Sequence, residues 1–296
     1  MSNIVTMLLK RDELILAQFE EALTQAALAS STVVNYLADL RAFLRWGQQE
    51  FNSDFSLRQV NQEHVRLYRY HLTQKLKRSP STVNRHLMAL RKFFTFAQEI
   101  DLVLFDPMVG VSLVSDSNDT VSGRLLTTEE TERLLKAAQK GSRAGLARRD
   151  AAILCLLIYT GLRVSEVVDL QTTDLVFDNP GVHLQVGSGP EGQVRHLPLP
   201  GEVHKVIYSY LQVRPRVSTS HLFLSQEGRP ISSRTVQRIV SDCARAAGFD
   251  GISAQTLRRT YAANLMDKTQ DLALVSKRLG HQNLHITEHY LASCQR

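Results

Sequence analysis

The chain is poor in cysteine. Its 296 residues include only Cys155, Cys243 and Cys294, widely spaced and odd in number. They make no disulfide framework and fit no zinc-ligand spacing, so a reducing, cytoplasmic setting is expected. No apolar run approaches the roughly eighteen residues a membrane span needs, so no membrane partner is expected. The opening "MSNIVTMLLKRDE" lacks the long apolar region and small-residue cleavage site of a signal peptide. Acid is missing from one long stretch. From His64 to Gln98 stand Arg66, Arg69, Lys75, Lys77, Arg78, Arg85, Arg91 and Lys92, with no Asp or Glu among them. Solvated helix faces usually mix signs, so this stretch favours a phosphate-facing surface over a merely soluble one.

What is present fits a two-domain protein. Hydrophobic residues make up 43% of the chain, enough for a real core. The net charge of +6 and pI near 9.3 admit a polyanion partner. Residues 1–123 carry thirteen basic and thirteen acidic side chains, so the excess belongs to the second half. Both halves are expected to touch the polyanion, one through a local patch and the other through overall charge, as a clamp.

Two segments of the first half resemble copies. "STVVNYLADLRAFL" from Ser31 and "STVNRHLMALRKFF" from Ser81 share seven of fourteen positions. Each starts with Ser/Thr suited to an N-cap, and Pro80 suits a first helical turn. Val33, Leu37, Leu40 and Phe43 form one apolar stripe, as do Val83, Leu87, Leu90 and Phe93. Arg41 and Arg91 take equivalent places beside those stripes. This predicts a helical domain over 1–112 whose basic residues, Arg41, Lys75, Lys77, Arg78, Arg85, Arg91 and Lys92, face a nucleic acid. Without a zinc finger or a single-strand stacking pattern, double-stranded DNA fits better than RNA.

Residues 113–123, within "GVSLVSDSNDTVSG", have no stripe and predict a linker. Residues 124–296 predict a mixed α+β domain with a small antiparallel sheet, in a chain that is mainly α. "TTEE" opens a helix with a capping box. "RDAAILCLLIYTG" predicts a buried helix ending at Gly161, followed by a helix from about Arg163. Arg163 has two readings, a surface residue in a turn or a guanidinium held to point into a cleft, and on position alone the surface reading wins. Val182, Leu184 and Val186 alternate, and "VRHLPL" resumes after a Gly-rich loop, so a β-hairpin is expected. "SAQTLRRTYAANLMD" predicts a helix capped by Ser253, with Leu257, Tyr261 and Leu265 as its stripe and Arg258 at the edge of the buried face.

His281 and Tyr290 are nine residues apart. On one continuous helix nine residues turn through about 900°, which puts the two side chains on opposite faces. Gly280 predicts a helix end, "QN" a turn, and a second short helix then carries Thr287 and Tyr290. Such a corner lets histidine and tyrosine converge. A tyrosine packed in the core of a terminal helix is the plainer alternative.

In combination, "TGLRVSE" at 160–166, "TLRRTYAANL" at 256–265 and "LGHQNLHITEHY" at 279–290 resemble the three catalytic boxes of the tyrosine recombinases, the phage integrase family. Order, spacing and the His-to-Tyr interval match. The duplicated helices followed by "DPMVGV" resemble the family's core-binding domain, and the length resembles its simpler Xer-like members. The resemblance implies that Tyr290 attacks a DNA phosphodiester, forms a 3′-phosphotyrosyl link and frees a 5′-hydroxyl, with no metal or other cofactor. It implies Arg163 and Arg258 as bidentate clamps on the phosphate, His281 as a hydrogen-bond partner of that phosphate, and Glu166 as a support behind the arginines. It also implies a homotetramer or heterotetramer on two DNA sites.

Three departures accompany the resemblance. Gln255 stands where the family has histidine, and glutamine cannot exchange a proton at neutral pH. Ser188 stands where the hairpin usually carries a catalytic lysine (Pro190 in the alternative register), and no lysine occurs between Lys140 and Lys205. Six residues after Tyr290 are too few for the docking helix that Xer-like members place there. The expectation is a recombinase that still cuts and rejoins DNA, possessing clamp and nucleophile but not the usual proton carriers. His196 is the nearest substitute acid, with Arg259 or water as others. The rival is a weakened or inactive relative that binds DNA or holds synapses; a helical transcription regulator leaves the second domain unexplained.

Overall fold

The computed structural model describes residues 2–115, 124–140, 144–178, 181–187 and 194–292, with side chains from Asp12 onward except that of Ala144. Contacts divide the chain into two units, Met1–Asn118 and Asp119–Arg296. The first is helical: α1 (Ser2–Gln25), α2 (Ser30–Glu50), α3 (Gln62–Tyr70) and α4 (Pro80–Glu99). Both stripes are buried, Val33 through Phe43 on α2 and Val83 through Phe93 on α4. They meet one core, where Phe19 of α1 packs edge-on against Phe93 with ring centroids 5.4 Å apart. The two copies keep the same offset, but their caps lie two residues upstream of the expected serines. Ser79 accepts from the Thr82 backbone N–H, whereas Ala29, its equivalent, has no side-chain oxygen to offer. Asn84 of α4 exchanges two hydrogen bonds with the Val114 backbone, at 2.8 and 2.9 Å, so the start of the expected linker belongs to this unit. Residues 116–123 lie outside the described residues.

The second unit comprises α5 (Thr128–Gln139), α6 (Ala144–Thr160), α7 (Val164–Asp169), β1 (Leu175–Asp178), β2 (Gly181–Gly187) and β3 (Val194–Leu199). It continues with α8 (Gly201–Leu211), α9 (Ser233–Ala246), α10 (Ala254–Thr269), α11 (Leu272–Leu279) and α12 (Leu284–Ala292). The apolar α6 is the hub, packed against α5, α8 and α10. The strands form an antiparallel sheet in the order β1-β2-β3. The hairpin has the expected alternation, with Leu184 opposite Leu197 on the buried face. Strand β1 was not expected, since its four residues are too short to show a period.

Two glycines set the corners of the candidate site. Gly161 ends α6 with φ +63°, and a Cβ there would lie 2.4 Å from the Tyr261 ring. Gly280 ends α11 with φ +64°, and a Cβ would meet the Arg195 guanidinium at 2.8 Å. Glycine alone combines that backbone with that closeness. No described helix is long and apolar enough to cross a membrane.

Candidate active site

Glu166 is the centre. Its carboxylate closes the N-terminus of α7, accepting from the Arg163 backbone N–H at 2.7 Å. It also meets three guanidiniums: Arg163 Nη1 at 3.0 Å, Arg195 Nη2 at 2.5 Å and Arg258 Nη1 at 3.9 Å. Three cations around one buried anion leave a formal surplus of two positive charges. The two corner glycines hold Arg258 and Arg163 crosswise. The Gly161 carbonyl accepts from Arg258 Nη1 at 2.6 Å, and the Gly280 carbonyl from Arg163 Nη2 at 3.1 Å.

Arg258 is deeper than expected. Instead of lying at the edge of the buried face it is 4% exposed, while Tyr261 and Leu265 of the stripe are half-buried. Its guanidinium needs buried acceptors for that depth, and the Gly161 and Leu279 carbonyls supply them. Burial and the neighbouring Arg163 lower its pKa to about 10, so it stays charged at neutral pH. Arg163 is more exposed, with its guanidinium pinned between Glu166 and Gly280.

The corner at Gly280 brings His281 back to Tyr290, with ring centroids 5.5 Å apart and planes nearly perpendicular. Arg258 Nη2 donates to His281 Nε2 at 3.3 Å. An arginine N–H can only donate, so Nε2 carries the lone pair and Nδ1–H faces Thr287 Oγ1 at 2.9 Å. Burial first, then Arg258, Arg163 and Arg195, lowers the His281 pKa to about 4. The imidazole is therefore neutral at pH 7. Tyr290 packs its ring against the small cluster of Ala262, Val275 and Leu279. Its hydroxyl meets Gln255, whose Nε2 donates to it at 3.2 Å. The tyrosine is thus both partly packed and presented, which joins the two alternatives read from sequence. Beside this cluster opens a groove of 740 Å³, lined by Arg163, Ser165, Gln237, Ser253, Gln255 and Arg258. Paired guanidiniums and a neutral imidazole beside a phenol suit an oxyanion with an attacking oxygen next to it.

Not every expected residue joins. Ser188 and Pro190 lie outside the described residues. His196 is turned away: strand β3 buries Arg195, Leu197 and Leu199, so His196 points to the other face, where its ring lies 5.2 Å from that of His183. The expectation of His196 as substitute acid is corrected on that ground. Arg195, by contrast, reaches the cluster and was missed. The signal was available, since an arginine in the buried register of a strand demands a partner.

The basic residues of the first unit divide. Arg41 pairs with Glu13 at 3.0 Å, Lys75 with Glu50 at 3.6 Å and Arg85 with Asp39 at 2.6 Å. Arg91 donates to the Val111 carbonyl at 2.9 Å. The acid-free stretch is thus partly balanced by α2, which supplies both Glu50 and Asp39. Among the described residues Lys77, Arg78 and Lys92 are exposed and have no acidic partner within 4.0 Å.

Comparison with known proteins agrees with this architecture. Residues 124–296 match the phage integrase family, and residues 16–99 match the phage integrase N-terminal SAM-like domain. The chain is 34% identical over 267 residues to tyrosine recombinase XerC of Staphylococcus haemolyticus, covering 88% of this chain and 86% of the relative. It is 28% identical over 276 residues to tyrosine recombinase XerD of Halalkalibacterium halodurans, covering 90% and 88%. Among solved structures, XerH bound to palindromic difH in a post-cleavage complex aligns with TM-score 0.74 at 22% identity, covering 94% of this chain and 81% of that one. A lambda integrase dimer bound to a COC′ core site aligns with TM-score 0.72 at 18% identity, covering 96% and 78%. These structures show a shared fold. The class is that of DNA strand-transfer proteins built from a SAM-like helical domain and a catalytic domain. The chain belongs to the phage integrase family, the tyrosine recombinases.

Proposed function

We propose that this chain is a site-specific recombinase that cuts and rejoins double-stranded DNA through a 3′-phosphotyrosyl intermediate on Tyr290, in integration, excision or resolution. The observation that carries this reading is the convergence of Arg163, Arg258 and His281, drawn from segments far apart in sequence, in one cluster where the Tyr290 ring lies 5.5 Å from that of His281. The Tyr290 oxygen attacks phosphorus, the bond to the 5′-oxygen breaks, and charge gathers on the non-bridging oxygens. Arg163 and Arg258 face that charge, and removing one such donor typically costs about 10²–10³ in rate. When a phosphate oxygen takes the place of the Arg258 contact, His281 can shift its proton to Nε2 and donate to it. Thr287 can then donate to Nδ1, because a hydroxyl serves either role. Gln255 holds the phenol but cannot accept its proton, which passes to water.

Exchange of both strands in two duplexes takes one nucleophile per strand, which supports a homotetramer or heterotetramer on two sites. Lys77, Arg78 and Lys92 are the best phosphate contacts of the first unit. The departing 5′-oxygen takes its proton from water, and without a lysine or a histidine acid that departure slows cleavage. A 5′-bridging phosphorothiolate tests this, because a thiol is far more acidic than an alcohol and its sulfur leaves as a thiolate without an acid. The sulfur substrate is expected to react at least about tenfold faster than the oxygen one; equal rates contradict the slow-departure claim alone. For the main reading, a duplex nicked beside the scissile phosphate is expected to trap a covalent adduct with wild type and none with Tyr290→Phe. No adduct from wild type at saturating DNA overturns the reading and leaves only a binding role.

A further inference from the structure

We propose that Arg195 is a positioning residue for strand cleavage: it holds Glu166 and the Gly280 corner from behind, so that Arg163 and Arg258 keep their charge for the scissile phosphate. This rests on the recombinase reading above.

The geometry gives Arg195 three simultaneous contacts. Nη2 takes Glu166 Oε1 at 2.5 Å, the shortest of the three guanidinium approaches to that carboxylate. Nη1 donates to the Arg278 carbonyl at 2.8 Å. The guanidinium plane also rests on Gly280, where an added Cβ would meet Cζ, Nη1 and Nε at 2.8–2.9 Å. Arg278 returns the link by donating from Nη1 to the His196 carbonyl at 2.7 Å. Strand β3 and helix α11 are therefore clasped twice, and α11 leads directly into His281 and the helix of Tyr290.

Charge counting gives the second half of the argument. With Arg195, Glu166 is neutralised and two guanidiniums remain in surplus. Without it, Glu166 turns its whole charge on Arg163 and Arg258, and the surplus falls to one. The buried carboxylate would then compete with the incoming phosphate for the same two donors. A purely structural arginine has no such consequence, because its loss would be indifferent to the charge of residue 166.

That difference is the test. Single-turnover cleavage of the nicked duplex is measured at saturating protein, alongside DNA affinity and thermal midpoint, for Arg195→Ala, Arg195→Lys and Arg195→Ala/Glu166→Gln. Supporting hydrogen bonds behind a ligating group are worth about ten- to a hundredfold, so Arg195→Ala is expected to slow cleavage about thirtyfold with affinity within about threefold. Removing the unpaired carboxylate in the double variant is expected to restore at least about fivefold over Arg195→Ala. Arg195→Lys keeps a cation but not the paired donors and is expected to lose about tenfold; it carries the test if the alanine variant fails to fold. Cleavage by Arg195→Ala (or by Arg195→Lys, where only that folds) within about threefold of wild type, or a double variant no faster than the single, overturns the proposal while a wild-type adduct leaves the recombinase reading standing. Absence of the wild-type adduct sinks both.

Discussion

Two buried carboxylates, one in each unit, meet arginine in opposite ways. Asp39 on α2 takes Arg85 at 2.6 Å, while His86 Nδ1 lies 3.4 Å from its other oxygen and 3.2 Å from the Tyr68 hydroxyl. One acid faces one guanidinium, and the account closes. Glu166 faces three guanidiniums, and the surplus borders a groove. Both clusters hold a histidine whose pKa is lowered to about 4, by burial first and neighbouring arginines second. Burial and a lowered histidine pKa therefore do not distinguish a site from a structural bridge. The imbalance of cations over acid, open to solvent, does.

The sharpest way to break this contrast is Arg258→Ala against Asp39→Ala. Arg258→Ala is expected to slow cleavage about a thousandfold at saturating DNA. It also strands the Gly161 and Leu279 carbonyls, at about 1–3 kcal/mol each. Asp39→Ala is expected to cost about 1–3 kcal/mol in urea unfolding and leave the rate of the folded, DNA-bound protein within about twofold. A slowed rate in that variant contradicts the distinction. Gly280→Ala comes next. The left-handed backbone costs about 1–3 kcal/mol for a side chain, and displacement of Arg195 should add about a tenfold loss in cleavage, read by thermal melting and adduct formation. Thr287→Val removes the Nδ1 partner of His281 without changing shape, and about a tenfold slower cleavage is expected at unchanged DNA affinity.

The smallest effect concerns protons. The folded pKa of His86, near 4, lies below the 6.5 of a free histidine, so the unfolded chain binds the proton first. Stability present above pH 6.5 is lost as pH falls toward 4, and His281 follows the same sign. His86→Gln is expected to reduce the fall in urea midpoint between pH 7 and pH 5 by the share of that one residue. An undiminished fall contradicts the assignment.

Much of this was legible in the sequence because it rests on local periodicity and on glycine. The stripes of α2 and α4, the hairpin and the Gly280 corner all follow from residues within one turn or one strand. The convergence of His281 and Tyr290 needed only that corner. What escaped depends on partners distant in sequence. Nothing near Arg85 or Lys75 announces Asp39 and Glu50, which both arrive from α2. Arg258 looked like an edge residue because its depth comes from carbonyls of Gly161 and Leu279, which helical spacing does not reveal. His196 and Arg195 are the instructive pair. Strand parity, read beside Leu197 and Leu199, puts the arginine inside and the histidine out.

The most direct measurement is to identify the amino acid joined to the DNA. After trapping on the nicked duplex, nuclease trimming and proteolysis, mass spectrometry is expected to find the nucleotide mass on Tyr290, linked to the 3′ side of the break, with a free 5′-hydroxyl on the other fragment. A nucleotide carried by Tyr261 or any other residue, or a link to the 5′ side, would contradict the account.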